Sequence, residues 1–325
     1  MKAVFFEKGR LIVGEQEEPT LQKGEVLVKI KSASVNRRDL YTPNRLGNEA
    51  EALILGSDAA GIIEEISEDV KSWHIGDEVI INPSLRWFDE SLIPPDGFEI
   101  LSLPDHGTFA EKIAISAEQL EKKPAYLSWE EAATIGIAPL TGYRALFTKG
   151  EIKKGQTIFI PGAGSGVATF IIQLAHKVGA RVIVTSRSAS KREAALAIGA
   201  DLALDTAADW QEALKDEVID LVIDSVGEAT FNRSLQVLKK GGTFVTFGAT
   251  TADITSINLR EFFYGQYNLK GTTLGSREEF RKCIQFMTEH NIHPIIDVVY
   301  NIEEAQKAFE RLQVNEQFGK IVLTM

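Results

Sequence analysis

The sequence predicts an α/β protein in which a doubly wound, parallel, six-stranded sheet is inserted into a β-rich domain. Three observations carry this prediction. From Thr157 onward, short apolar strands alternate with helical patterns; the first third instead holds short strands between glycine and polar turns; and the stretch after residue 276 returns to mixed character and ends on a strand. At 325 residues the chain has room for two domains of roughly 100–200 residues each. We place the β-rich domain at residues 1–138 and 276–325, and the inserted domain at 139–275.

Each element has a local reason. Residues 24–31 alternate apolar and charged side chains, as a half-buried strand does, and residues 61–66 and 77–81 follow between glycine and polar turns. The segment 82–108 is irregular, with Pro83, Pro94, Pro95, Gly97, Pro104 and Gly107. A loop of that length in a compact protein is functional or the relic of a lost function. Ser128 predicts a helix start, with Glu131 three residues on to complete a capping box. Strands are then read at Thr157–Pro161, 181–186, 201–205, 219–224, 242–248 and 269–274, with helices at 166–178 and 229–238. Apolar strands linked by helical crossovers make a parallel sheet covered on both faces. A final strand is read at 320–324.

Bulk composition excludes several classes. Asp and Glu total 46 against 35 Lys and Arg, a balance of −11, which disfavours nucleic acid as a partner. Cys283 is the only cysteine, so no intrachain disulfide can form, which fits a reducing compartment. The apolar run at Met1–Phe6 is too short for a signal peptide. No window approaches the roughly 18 apolar residues of a membrane helix. A cytoplasmic location without membrane contact is expected.

The inserted domain carries a cofactor signature. The strand 157–161 runs into Gly162-Ala163-Gly164-Ser165-Gly166-Val167, and a helix follows with Phe170, Ile171, Leu174 and Val178 on one face. The unit to Ser186 has the roughly 30-residue length of a βαβ dinucleotide unit. Small residues at the turn let backbone N–H groups approach a pyrophosphate, and the helix start adds favourable partial charge. The fingerprint is imperfect: read from Gly162, G-x-G-x-x-G fails at Val167. The end of the second strand decides the cofactor. An acid there would bind the ribose 2′-OH, but this chain has Ser186, Arg187 and Lys191, with no acid before Glu193. Hydroxyl, guanidinium and ammonium suit a 2′-phosphate, so NADPH is the expected cofactor. Phe247 and Gly248, at the end of the strand 242–248, are also assigned to its site, since ligands of such sheets bind at the carboxyl ends of the strands.

The whole chain resembles the medium-chain dehydrogenase/reductase superfamily. The ordered motifs include Val35-Asn36-Arg37-Arg38-Asp39, Gly56-Ser57-Asp58-Ala59-Ala60-Gly61, Gly76-Asp77-Glu78-Val79, Gly107-Thr108-Phe109-Ala110-Glu111, Pro139-Leu140-Thr141-Gly142-Tyr143 and Gly319-Lys320-Ile321-Val322-Leu323. The resemblance implies a GroES-like catalytic domain and a Rossmann domain. In the zinc members, ligands stand where this chain has Asn36, Ser57 and Ile137, none of which supplies a thiolate or imidazole. The cysteines of their structural zinc lobe are missing from 82–108, and the five histidines, at 74, 106, 176, 290 and 293, are scattered. No zinc is expected. The chain is similar instead to the quinone-reductase branch, through Asn36, Asp39 and Tyr41. That likeness implies Asn36 beside the nicotinamide, Tyr41 facing the substrate, Thr141 lining the pocket and Lys320 on the cofactor phosphates. Asp58 takes the slot of a family Glu, in a supporting role, and Trp87 and Phe88 are placed at the pocket edge.

Without a metal, the expected chemistry is hydride donation from NADPH to a quinone or α,β-unsaturated carbonyl, whose charge delocalises onto oxygen. Tyr41 or Ser57 would donate a hydrogen bond to that oxygen. Two alternatives stay open: a zinc-independent carbonyl or alcohol oxidoreductase, and a non-catalytic NADPH-binding sensor. A homodimer is expected from the family, through the strand at 268–274.

Overall fold

The computed structural model describes residues 1–45 and 52–325. The chain divides into two compact units, Met1–Leu140 with Gly275–Met325, and Thr141–Leu274.

The first unit is built on one long strand, Glu25–Val35, which pairs antiparallel with Asp58–Ile66, with Lys112–Ser116 and with Lys320–Thr324. Beyond these, Glu78–Ile81 and Leu120–Lys122 extend the sheet on one side and Ile296–Asn301 on the other. A three-stranded sheet of Arg10–Glu15, Lys2–Glu7 and Leu53–Ile54 accompanies it. Val26, Val28, Ile30, Ile63, Ile113 and Phe309 meet in the core. The alternation read at 24–31 places these side chains, and the strand proves longer because residues 32–35 are also enclosed. The irregular segment contains one small ladder, Ser84–Leu85 against Glu99–Ile100. Trp87 is fully buried there, stacked edge-on against Phe98 and donating to Ser91 Oγ at 2.9 Å. It packs that segment from within. The helix start at Ser128 forms as a capping box: Ser128 N–H donates to Glu131 Oε2 at 2.9 Å, and Glu131 N–H to Ser128 Oγ at 3.2 Å.

The second unit is a six-stranded parallel sheet in the spatial order 202–205, 181–186, 157–161, 219–224, 238–246, 268–271. The order reverses between Thr157–Pro161 and Ile219–Asp224, the switch point at whose carboxyl ends such sheets bind ligands. Phe159, Ile183, Trp210, Val222 and Phe244 form its core. The helix Gly166–Val178 is capped by Ser165, whose hydroxyl accepts from Ala168 N–H at 3.1 Å, and it stops at Gly179, where φ is +82°. Two strand readings need correction. The fifth strand starts at Leu238, because Ile219 pairs with Leu238 ahead of a register shift, although Lys239-Lys240-Gly241-Gly242 reads as a turn. The sixth is Asn268–Gly271, and the chain leaves the sheet before Leu274, where φ is +26°.

No helix among the described residues is long and apolar enough to cross a membrane.

Candidate functional site

In the second unit, the turn after Thr157–Pro161 presents amides. Gly162 has φ +82°, a conformation that favours glycine. Gly162 and Ala163 N–H groups bond to the Thr185 carbonyl, at 3.1 and 2.9 Å. The N–H groups of Gly164, Ser165, Gly166 and Val167 find no acceptor among the described residues. They are the orphan donors of a helix start, a chemistry suited to a diphosphate. At the end of the second strand, Ser186 is buried, and its hydroxyl accepts from Ser188 N–H at 3.3 Å. Arg187 is exposed, and its guanidinium has no partner among the described residues. Lys191, in the first turn of the helix Ala189–Ala197, is half-buried. Arg192 was not singled out from sequence. Its Nη1 donates to Ser186 O at 2.7 Å and to Asp205 Oδ2 at 2.8 Å. The acid on the neighbouring strand is thus matched by a cation, which leaves Arg187 unopposed. These residues fit a nicotinamide dinucleotide.

Further along the carboxyl ends, Asp224 is buried and accepts from Val226 N–H at 2.7 Å, Thr230 Oγ1 at 2.7 Å and Ser234 Oγ at 3.2 Å. Burial pushes its carboxyl upward, and these donors pull against that shift. The loop it fixes bonds to residues 250 and 251. Phe247 and Gly248 lie just past the strand 238–246, and Gly248 packs near Ser225. Thr141 is buried.

In the first unit, three adjacent strands bring a polar cluster together. Asp58 stands opposite Ser34, and Ile321 opposite Val35, so Asn36, Asp58 and Lys320 converge. Asp58 is fully buried; its Oδ1 accepts from Ile137 N–H at 2.7 Å, and its Oδ2 from Asn36 Nδ2 at 2.8 Å and Ser34 Oγ at 3.1 Å. Lys320 is only 3 % exposed, and its Nζ donates to Asn36 Oδ1 at 2.5 Å, Val35 O at 3.1 Å and Asp58 Oδ2 at 3.4 Å. An ammonium has three protons, and all three are engaged inside this unit. The expected contact of Lys320 with cofactor phosphates would have to compete with these three bonds.

The hydroxyl proton of Ser57 goes to Leu101 O at 2.7 Å, and its oxygen accepts from Arg38 Nη1 at 2.5 Å. To act as the expected donor to a substrate, Ser57 would have to give up its bond to Leu101 O. Arg38, which sequence reading passed over, supports that bond. Its guanidinium ties Ser57 to Leu101 O and, more loosely, to Ile100 O. Tyr41 is 48 % exposed, and its hydroxyl has no partner among the described residues. Asp39 caps the short helix Arg37–Leu40, accepting from Asn36 N–H at 2.7 Å.

Asp39 is fully buried, and desolvation pushes its carboxyl up to about 6, against the pull of Arg38 and the Asn36 N–H. Its folded value lies above its ordinary one. The ionised form therefore destabilises the fold above pH 6, by at most about 3 kcal/mol, and that cost vanishes as pH falls below about 4. The stability of Asp39→Asn relative to wild type is expected to rise between about pH 4 and pH 7. Urea unfolding at both ends of that window checks this; a flat difference would remove the buried charge.

Among the described residues, no group of three or more His, Cys, Asp or Glu side chains could hold a metal ion. Asn36, Ser57 and Ile137 offer no thiolate or imidazole, and the Lys320 ammonium between Asn36 and Asp58 opposes a second cation. The residues present do not fit zinc.

Residues 22–125 match the model of the alcohol dehydrogenase GroES-like domain, and residues 166–289 that of the zinc-binding dehydrogenases. A zinc-type alcohol dehydrogenase-like protein of Schizosaccharomyces pombe is 34 % identical, over 95 % of this chain and 93 % of its own. The chain belongs to the medium-chain dehydrogenase/reductase superfamily. The solved structure of an NAD-dependent alcohol dehydrogenase superposes with a TM-score of 0.92 at 28 % identity, covering all of both chains. The 2-octenoyl-CoA carboxylase reductase CinF, solved in complex with NADP and 2-octenoyl-CoA, gives 0.85 at 25 % identity, over 98 % of this chain and 82 % of its own. Like other members of the superfamily, this one is an oxidoreductase of the nicotinamide-dependent type.

Proposed function

We propose that this medium-chain reductase is NADPH-dependent and delivers hydride, without a metal, to an α,β-unsaturated carbonyl. The observation that carries this reading is the polar cluster of the first unit. Where the resemblance puts the zinc ligands, this chain has Asn36, Ser57 and Ile137, and the Lys320 ammonium is held between Asn36 and Asp58. A metal would act as the Lewis acid that stabilises an alkoxide; a conjugated acceptor spreads the same charge onto its carbonyl oxygen without one. The relative solved with NADP and an enoyl thioester supports this choice. A quinone is a second acceptor of the same electronic kind.

NADPH supplies the hydride when bound. The amides of Gly164–Val167 would hold its diphosphate, and Arg187, Lys191 and Ser186 its 2′-phosphate. Asn36 is the residue of the first unit assigned to the nicotinamide. Tyr41, whose hydroxyl has no partner among the described residues, is assigned as hydrogen-bond donor to the acceptor oxygen, since Ser57 is engaged elsewhere. NADPH oxidation measured across enones, enoyl thioesters, quinones and simple aldehydes, with and without chelator, tests the reading. Chelator-resistant turnover with conjugated acceptors is expected, and Tyr41→Phe should lower kcat about tenfold or more. Turnover confined to aldehydes, or abolished by chelator, would sink it.

We also propose a homodimer formed through the second unit. Asn268–Gly271 is the edge of the parallel sheet, and Leu269 within it and Leu259, Phe263 and Tyr264 before it in sequence are exposed. Unpaired edges are commonly covered by pairing. Light scattering in solution should give twice the 35.8 kDa chain mass.

A further inference from the structure

The Asn36 carboxamide is held from both ends. Its oxygen accepts from Lys320 Nζ, and its nitrogen donates to Asp58 Oδ2 and, at 3.4 Å, to Ser34 O. An amide can ordinarily flip, exchanging oxygen and NH2 at little cost. Here a flip would set NH2 against an ammonium and oxygen against a carboxylate. The two charges therefore select one orientation. Sheet register holds them in place: Ser34 pairs with Asp58 on one side, and Val35 with Ile321, the neighbour of Lys320, on the other. Asp58 is itself pinned by the Ile137 N–H and pressed against Gly136.

Stability alone does not account for such a pair. A buried ion pair is often no more stabilising than apolar residues of the same volume. Asn36 is 8 % exposed, so the part of its carboxamide that meets a ligand is small and its direction matters.

We infer that Lys320 and Asp58 are positioning residues that lock the Asn36 carboxamide in the single orientation hydride transfer requires. The inference rests on the proposed function, which assigns Asn36 to the nicotinamide.

The test is a double-mutant cycle on the full-length protein. Lys320→Met is expected to lower kcat by about 10- to 100-fold, the scale of a misplaced catalytic contact. NADPH affinity by fluorescence titration should hold within about twofold, since the ammonium is engaged with Asn36 and Asp58; a larger loss would assign it to the cofactor phosphates and overturn the inference. Lys320→Arg should recover part of kcat. In an Asn36→Ala background, Lys320→Met should add no further loss; an equal loss in both backgrounds would overturn the inference. Lys320→Met leaves the Asp58 charge unpaired, so Lys320→Met/Asp58→Asn provides a folded alternative with the same expected loss. A second readout does not depend on turnover. The Asn36 side-chain amide protons, followed by 15N NMR, should exchange slowly in wild type and fast in the Lys320 variant. Fast exchange in wild type would overturn the lock, whereas slow exchange in a protein that reduces no acceptor would overturn the proposed function and leave the lock standing.

Discussion

Replacing Arg187 by Glu is expected to reverse the coenzyme preference. Arg187 is exposed and has no partner among the described residues, while the nearby acid Asp205 is matched by Arg192. A guanidinium on a phosphate makes charge-assisted hydrogen bonds worth roughly 1.5–3 kcal/mol each. Losing two such bonds and adding a like charge predicts a fall of about 1,000-fold in kcat/KM for NADPH. NADH carries no 2′-phosphate, so its efficiency should change by less than about threefold. The variant thus separates recognition of the phosphate from the rest of the reaction. Equal losses with both cofactors would mean that Arg187 shapes the fold of the turn instead.

The second large effect is expected at Gly136. A Cβ there would lie 2.1 Å from Asp58 Oδ1 and 2.7 Å from its carboxyl carbon. Asp58 is fully buried, so it cannot swing into solvent. Gly136→Ala must therefore displace the carboxylate from Lys320, Asn36 and the Ile137 N–H together. Breaking one partner out of a buried pair destabilises by about 3–5 kcal/mol. A lower melting temperature and severe loss of turnover should appear together. An unchanged melting temperature would show that the carboxylate has room to retreat, and would weaken the case for a tight cluster.

Much of the second unit was legible in the sequence. Thr157–Pro161, Arg181–Ser186 and Ile219–Asp224 are apolar runs bounded by polar or glycine residues, and the helix Gly166–Val178 has Ser165 before it and Gly179 after it. Their limits are written locally. Leu238 belongs to a strand only because Ile219 lies beside it, and no local pattern carries that pairing. The same divide runs through the site. The turn at 162–167 and the residues after Ser186 announce phosphate chemistry by type and spacing. The Lys320 bond to Asn36 spans 284 residues, and the Arg38 bond to Leu101 spans 63. Contacts at that separation depend on which strands become neighbours, so no local pattern carries the partners of Lys320 and Ser57.

The strand Lys320–Thr324 lies inside the sheet of the first unit, flanked by Glu25–Val35 and Ile296–Asn301. During synthesis the ribosome delivers it only after the entire nucleotide-binding unit, 141–274, has emerged. That unit can fold while the earlier half still waits with an exposed flank, a form open to chaperones and to aggregation. Assembly of the Asn36 amide's surroundings is thereby postponed until residue 320 arrives.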